Sequence, residues 1–183
     1  MKRVIVTAHP DDEVLWCGGL PIRYPGDWTI ICCSIPRRDP VRAWKFYDAC
    51  EVLGAKAKII PVIESEPDKG LDLAFLNLSF YDHIFTHNKF GEYGHFHHRW
   101  VHNFITAQYP DKKITTFGYR KNGIGEFPLV LTDEEFERKM KALQCYNHIL
   151  PYRAEPMPKW RALLINYPEF NFKEESYDGA PLP

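Results

Sequence analysis

The run Arg3-Val4-Ile5-Val6-Thr7 leads directly into Ala8-His9-Pro10-Asp11-Asp12-Glu13, and no other stretch limits the fold as much. An apolar run this short, bounded by a polar cluster, reads as a buried β-strand. Residues 14–20 (Val-Leu-Trp-Cys-Gly-Gly-Leu) then read as the start of a helix. A histidine and three acids are thereby delivered to a strand's C-terminal end, where open α/β sheets place their ligands. Burying such groups is costly unless they have a partner. A divalent cation is the partner that suits them.

The rest of the chain repeats the strand-then-helix alternation. Residues 28–35 form a second apolar run, expected to be a strand covered on both faces and hence in a parallel sheet. Pro40 suits the first turn of a helix that continues to Leu53 and stops at Gly54. Strands are expected at 58–62, 82–86, 114–118 and 129–131, and a helix from about His95 to Gln108. Residues 64–70 read as a surface loop, and 71–78 as a short helix or an irregular segment. Thr132, with Glu135 three residues on, opens a helix through a capping box that is expected to run to about residue 149. The proline-rich tail, 151–183, is expected to pack on this single domain, with a short strand at 162–165. The fold class is therefore α/β: a Rossmann-like, mostly parallel sheet with helices on both faces. The first βα turn is not GxGxxG, and Gly18-Gly19 lies too deep in the helical pattern for a phosphate loop, so no dinucleotide site is expected.

Composition narrows the function. A net charge of −1 gives no nucleic-acid footprint. No apolar run approaches a membrane span, and the first strand starts almost at Met1, so a cytoplasmic protein is expected. Five cysteines without CxxC spacing are expected to be reduced and mostly buried.

Five of the eight histidines fall between His87 and His102. On a helix His95, His98 and His102 share one face, and His97 is expected to point elsewhere. Any one of them alone reads as a surface or core-capping residue. Together with the first cluster they read as a metal site. Two imidazoles and one carboxylate suit catalytic zinc with room for water, and Fe(II) would accept the same set.

The stretch from Ala8 to Glu13 resembles the signature of the PIG-L/LmbE-like de-N-acetylases, zinc-dependent enzymes acting on N-acetylglucosamine conjugates and related amides. Gly94-His95-Phe96-His97-His98 is similar to their second signature, with Phe96-His97 where the family has Pro-Asp. Weaker similarities extend the resemblance from residue 1 to about 149. It implies His9, Asp12 and His98 as zinc ligands and Asp11 as the base activating a water. It implies His95 as stabiliser of the oxyanion or acid for the leaving amine, and Arg42 in substrate binding. Glu13 is expected to support the loop. The implied substrate is a small N-acetylated amino sugar or its conjugate. The alternatives are hydrolysis of another amide on the same scaffold and a catalytically silent protein that retains the metal.

Overall fold

The computed structural model describes residues 1–63, 70–119, 125–148, 157–166 and 171–183, with no side-chain detail for 165 and 166. Most of the 64–70 loop, residue 149 and much of the tail lie outside these. Seven strands, β1 (Arg3–Thr7), β2 (Trp28–Cys32), β3 (Lys56–Ile59), β4 (His83–Thr86), β5 (Lys113–Phe117), β6 (Phe127–Val130) and β7 (Glu174–Gly179), form one sheet in the order β3-β2-β1-β4-β5-β7-β6. The strands from β3 to β5 are parallel neighbours, and β7 runs antiparallel between β5 and β6. This is the expected α/β class, a mostly parallel sheet covered on both faces.

Alternation along the strands explains the two-sided cover. Val4 and Val6 of β1 face one apolar cluster, with Ile84, Ile31 and the Val101 and Ile105 side chains of α4 (Phe96–Gln108). Ile5 faces the other, with Ile30, Phe85 and Phe117, under α3 (Val41–Leu53) and α5 (Asp133–Gln144). Residues 71–78 carry neither helix nor strand, yet Leu71, Leu73, Leu76 and Leu78 close the first cluster beside α4.

Several expectations need correction. The first helix is broken into α1 (Asp12–Leu15) and α2 (Gly19–Arg23). Gly19 opens α2 rather than lying deep in a helix, and only a glycine fits there, since a Cβ would sit 2.7 Å from Glu175 Oε2. Its N–H donates to Glu175 Oε1 at 2.7 Å, so a carboxylate of the chain itself occupies that helix start. The capping box at Thr132 forms, but α5 ends at Gln144, with Cys145 as its cap. The strand expected at 162–165 is part of a helix, α6 (Lys159–Asn166), and the tail also supplies β7, which was not foreseen. β2 ends at Cys32, and Ile35 makes only an isolated bridge to Ile63. All five cysteines are free thiols, and four are buried. Among the described residues no helix is long and apolar enough to cross a membrane.

Candidate metal centre

β1 and β4 lie side by side and parallel, so their C-terminal ends bring residues 8–13 and the loop after Thr86 together. Asp11 turns the chain in a left-handed conformation, φ 103°, a strained geometry for a residue with a side chain. Its N–H donates to Glu13 Oε2 at 2.9 Å, and its carbonyl accepts from Val14 and Leu15 to start α1. Glu13 is fully buried and accepts the Tyr146 hydroxyl at 2.5 Å on its other oxygen. Burial pushes the Glu13 carboxyl up to about 8, with Tyr146 opposing the rise and Asp11 adding to it. The support role expected of Glu13 thus has a concrete form: it holds the strained turn.

That turn aims Asp12 into a nest of imidazoles. Asp12 Oδ2 accepts the His9 N–H at 2.9 Å, and Oδ1 accepts the Trp16 indole at 3.0 Å. Oδ2 also lies 3.4 Å from His9 Nδ1, 3.5 Å from His87 Nε2 and 3.3 Å from His98 Nε2. Burial raises the Asp12 carboxyl, but His98, His87 and His9 outweigh it and hold the group well below the usual carboxylate range. Burial alone would lower His98; Asp12 and Glu92 on its two sides instead push it up to about 10. Glu92, buried and itself left-handed at φ 55°, is brought down to about 2 by His87 and His98 against the opposing effect of burial.

His95 caps α4, its side chain accepting the His97 N–H at 3.3 Å through Nδ1. A neutral His95 therefore carries its proton on Nε2. Burial, together with His9 and His98, brings His95 down to about 3, so neutral is its ordinary form. The His9 ring meets His95, His97 and His98, at centroid distances of 4.6, 5.3 and 5.3 Å. Contact with all three means that His9 sits over the end of α4 rather than against one flank. His97 therefore does not point elsewhere: it is buried, with Nδ1 3.1 Å from His9 Nε2. His102 turns away, its Nδ1 donating to the His87 carbonyl at 2.9 Å.

A second set of charges flanks Asp11. Its Oδ2 accepts Arg42 Nη1 at 2.7 Å and lies 3.2 Å from Lys159 Nζ, which α6 supplies from the tail. Asp39 lies 3.8 Å from Arg42 Nε and accepts from His148 Nε2 at 2.9 Å. Burial works against the Arg42 cation, yet Asp11 and Asp39 hold it firmly protonated. Neither Lys159 nor the Asp39–His148 pair has a sequence signal, since their partners are distant along the chain. Glu92 was missed as well: nothing in Gly91-Glu92-Tyr93 announces a carboxylate turned inward.

The donors suit a small divalent cation. One ligand atom from each of His9, His95 and His98 lies within 4.8 Å of the other two, and the same holds for Asp12, His87 and His98. His98 Nε2 is buried and makes no hydrogen bond, although it faces a carboxylate oxygen. Ligand atoms bonded at about 2.0–2.1 Å to a tetrahedral ion lie roughly 3.3 Å apart. The 3.3 and 3.4 Å separations of His98 Nε2 and His9 Nδ1 from Asp12 Oδ2 match that edge, while the two sets that close within 4.8 Å share His98 and do not join His9 to Asp12.

No protein-family model matches the sequence, and no curated protein matches it. Among solved structures, the chain is similar to the A40926 pseudoaglycone deacetylase Dbv21, with a TM-score of 0.64 and 12% identity over 99% of this chain and 97% of that one. It is similar to GalB, the 4-carboxy-2-hydroxymuconate hydratase of Pseudomonas putida KT2440, with a TM-score of 0.60 and 16% identity over 100% and 97% of the two chains. A deacetylase of the teicoplanin biosynthesis pathway matches with a TM-score of 0.58 and 12% identity, over 97% and 96%. Identities this low speak for the fold alone.

Proposed function

We propose that the protein is a zinc-dependent hydrolase that removes the acetyl group from an N-acetylated amino sugar or its conjugate. The observation that carries this reading is the buried, unbonded His98 Nε2 set 3.3 Å from Asp12 Oδ2, with His9 Nδ1 on the same oxygen. The likeness to two deacetylases of the same fold supports it. In this reading His9, Asp12 and His98 hold the metal, and Fe(II) would fit the same donors. When bound, such an ion supplies Lewis acidity, making a water more acidic and polarising an amide carbonyl.

The chain's own groups then divide the proton work. Asp11 takes the proton of the attacking water. Both of its cationic partners sit on Oδ2, and Oδ1 carries no hydrogen bond among the described residues. Water oxygen bonds to the acetyl carbon, the C–N bond breaks, and the proton passes to the departing nitrogen, giving acetate and a free amine. His95 offers its Nε2–H to the oxygen that gains charge, a role that a neutral imidazole with Nδ1 already engaged can fill. Arg42 anchors Asp11 through Nη1 and binds substrate.

Acetate release from N-acetylglucosamine and its conjugates tests the proposal. Activity should vanish with a chelator and return with zinc. Asp11→Ala should lower kcat by about 100- to 10,000-fold, the usual span for a positioned base, while metal uptake persists. Full activity in Asp11→Ala would sink the assigned chemistry.

A further inference from the structure

Two imidazoles compete for one carboxylate oxygen in the cluster. The His87 and His98 rings are stacked, with centroids 3.8 Å apart and planes at 22°. Each has Nε2 close to Asp12 Oδ2, and each turns Nδ1 to the same Glu92 oxygen, at 2.9 Å for His87 and 2.5 Å for His98. An ionised carboxylate only accepts, so both rings carry a proton on Nδ1. They differ at the other nitrogen. His87 Nε2 accepts the backbone N–H of Ala8 at 2.9 Å, which uses its lone pair. His98 Nε2 has no such donor and remains without a hydrogen bond.

We propose that Glu92 is a positioning residue that makes His98, and not His87, the imidazole of this stacked pair that holds the divalent cation. The inference rests on the metal reading above and names a residue on which that reading does not depend. Glu92 is held for the task. Its second oxygen accepts the Asn88 N–H at 3.0 Å, and Asn88 Nδ2 donates to the Phe117 and Tyr119 carbonyls, tying the loop to the end of β5. Both Glu92 oxygens thus face donors only.

An amide cannot reproduce that arrangement. In Glu92→Gln the NH2 must face either the Asn88 N–H or the two imidazoles. Facing the imidazoles, it favours the opposite tautomers. In that tautomer the His98 proton sits on Nε2, which cannot then be offered to a cation, and His87 sets an N–H against that of Ala8. Outer partners that fix a ligand's tautomer typically change metal affinity by about 10–100-fold.

Two measurements on the full chain test this. Zinc affinity, read by competition with a chromophoric chelator, should fall about 10–100-fold in Glu92→Gln and less in Glu92→Asp. Long-range nitrogen–proton NMR of the zinc-loaded wild type should show His98 protonated on Nδ1 with Nε2 shifted by the metal, and His87 Nε2 unchanged from the zinc-free protein. Wild-type affinity in Glu92→Gln, or a metal shift at His87 Nε2, overturns the inference while leaving the metal reading intact. If Glu92→Gln fails to fold, the wild-type spectra decide alone. A wild type that takes up no zinc overturns both.

Discussion

Charge is buried in two places on the segment that follows β1, and the two are built differently. Under the start of α2, Lys139 and Glu175 form an ion pair at 2.6 Å with both side chains fully buried. Glu175 also accepts the Gly19 N–H and the Tyr177 hydroxyl, and Lys139 reaches the Leu15 carbonyl. No buried side-chain atom of that network lacks a partner. At the ends of β1 and β4 Asp12, His87, Glu92 and His98 are also buried, yet His98 Nε2 is left without a hydrogen bond, and so is Arg42 Nε on the residue that holds Asp11. An unmet polar atom costs about 1–3 kcal/mol. The chain satisfies Lys139 completely but leaves Arg42 Nε, on the partner of Asp11, and His98 Nε2, facing Asp12, unbonded. Burial of charge does not by itself mark a site, nor does an unbonded buried atom, since Arg3 Nε, Thr7 Oγ1 and His83 Nδ1 are also without a hydrogen bond; what sets the second place apart is an unbonded imidazole nitrogen facing a carboxylate oxygen.

The difference predicts opposite responses to change. Glu175→Ala strands the Lys139 charge and should cost about 3–5 kcal/mol by chemical denaturation, whereas Lys139→Met with Glu175→Gln, which keeps partners for the Gly19 N–H and the Tyr177 hydroxyl, should recover most of that loss. Metal uptake should be untouched in the double variant. If Glu175→Ala is neutral, the network does not hold the core as described.

Zinc should stabilise only through the other cluster. At a concentration about 100 times its dissociation constant, a ligand adds about 2.7 kcal/mol. For a chain of this size that is a rise in Tm on the order of 5–10 °C. His98→Ala should abolish the rise, and an equal rise in that variant would place the ion elsewhere.

A milder effect is expected at a buried histidine outside both clusters. His83, at the far end of β4, meets the Thr115 hydroxyl at 2.7 Å, and that hydroxyl donates to the Ala180 carbonyl. Burial, with Lys113 and Arg3 nearby, brings His83 down to about 3. Since the folded value lies below the unfolded one of about 6.5, the unfolded chain takes up the proton first. His83 therefore contributes stability above about pH 6.5 that is lost progressively as pH falls towards 3. Thermal melts between pH 7 and 5 should show a shallower decline in His83→Gln than in wild type; parallel curves would refute this. The smallest change should come from Thr132→Ala, which removes the cap on the Glu135 N–H and costs about 1 kcal/mol in the same melts.

What the sequence announced, and what it hid, follows the same division. β1, α3 between Pro40 and Gly54, and the Thr132 cap carry local signals that no distant contact has to supply. β7 carries none: Glu-Glu-Ser-Tyr-Asp-Gly reads as a charged loop until Lys139, far back in the chain, neutralises Glu175. Residues 162–165 form an apolar run too short to tell helix from strand, and they turned out helical. At the site, His9, Asp11 and Asp12 were legible because they follow a strand directly. His97 was misjudged because helical periodicity describes a helix's flank, while His9 rests on its end. Lys159 could not be seen, because it reaches Asp11 from the far end of the chain; the partners of Glu92 lie only four to six residues away, but it is the left-handed turn at Glu92, φ 55°, that carries its carboxylate inward to them.

The central claim is that His9, Asp12 and His98 hold one divalent cation. Metal analysis of the purified chain with zinc-edge X-ray absorption tests it most directly. The account predicts one ion per chain, with imidazole nitrogen and carboxylate oxygen at about 2.0–2.2 Å, lost in Asp12→Ala and in His98→Ala but kept in Asp11→Ala. A chain that retains no metal after zinc loading, or one whose metal survives the loss of His98, would contradict it.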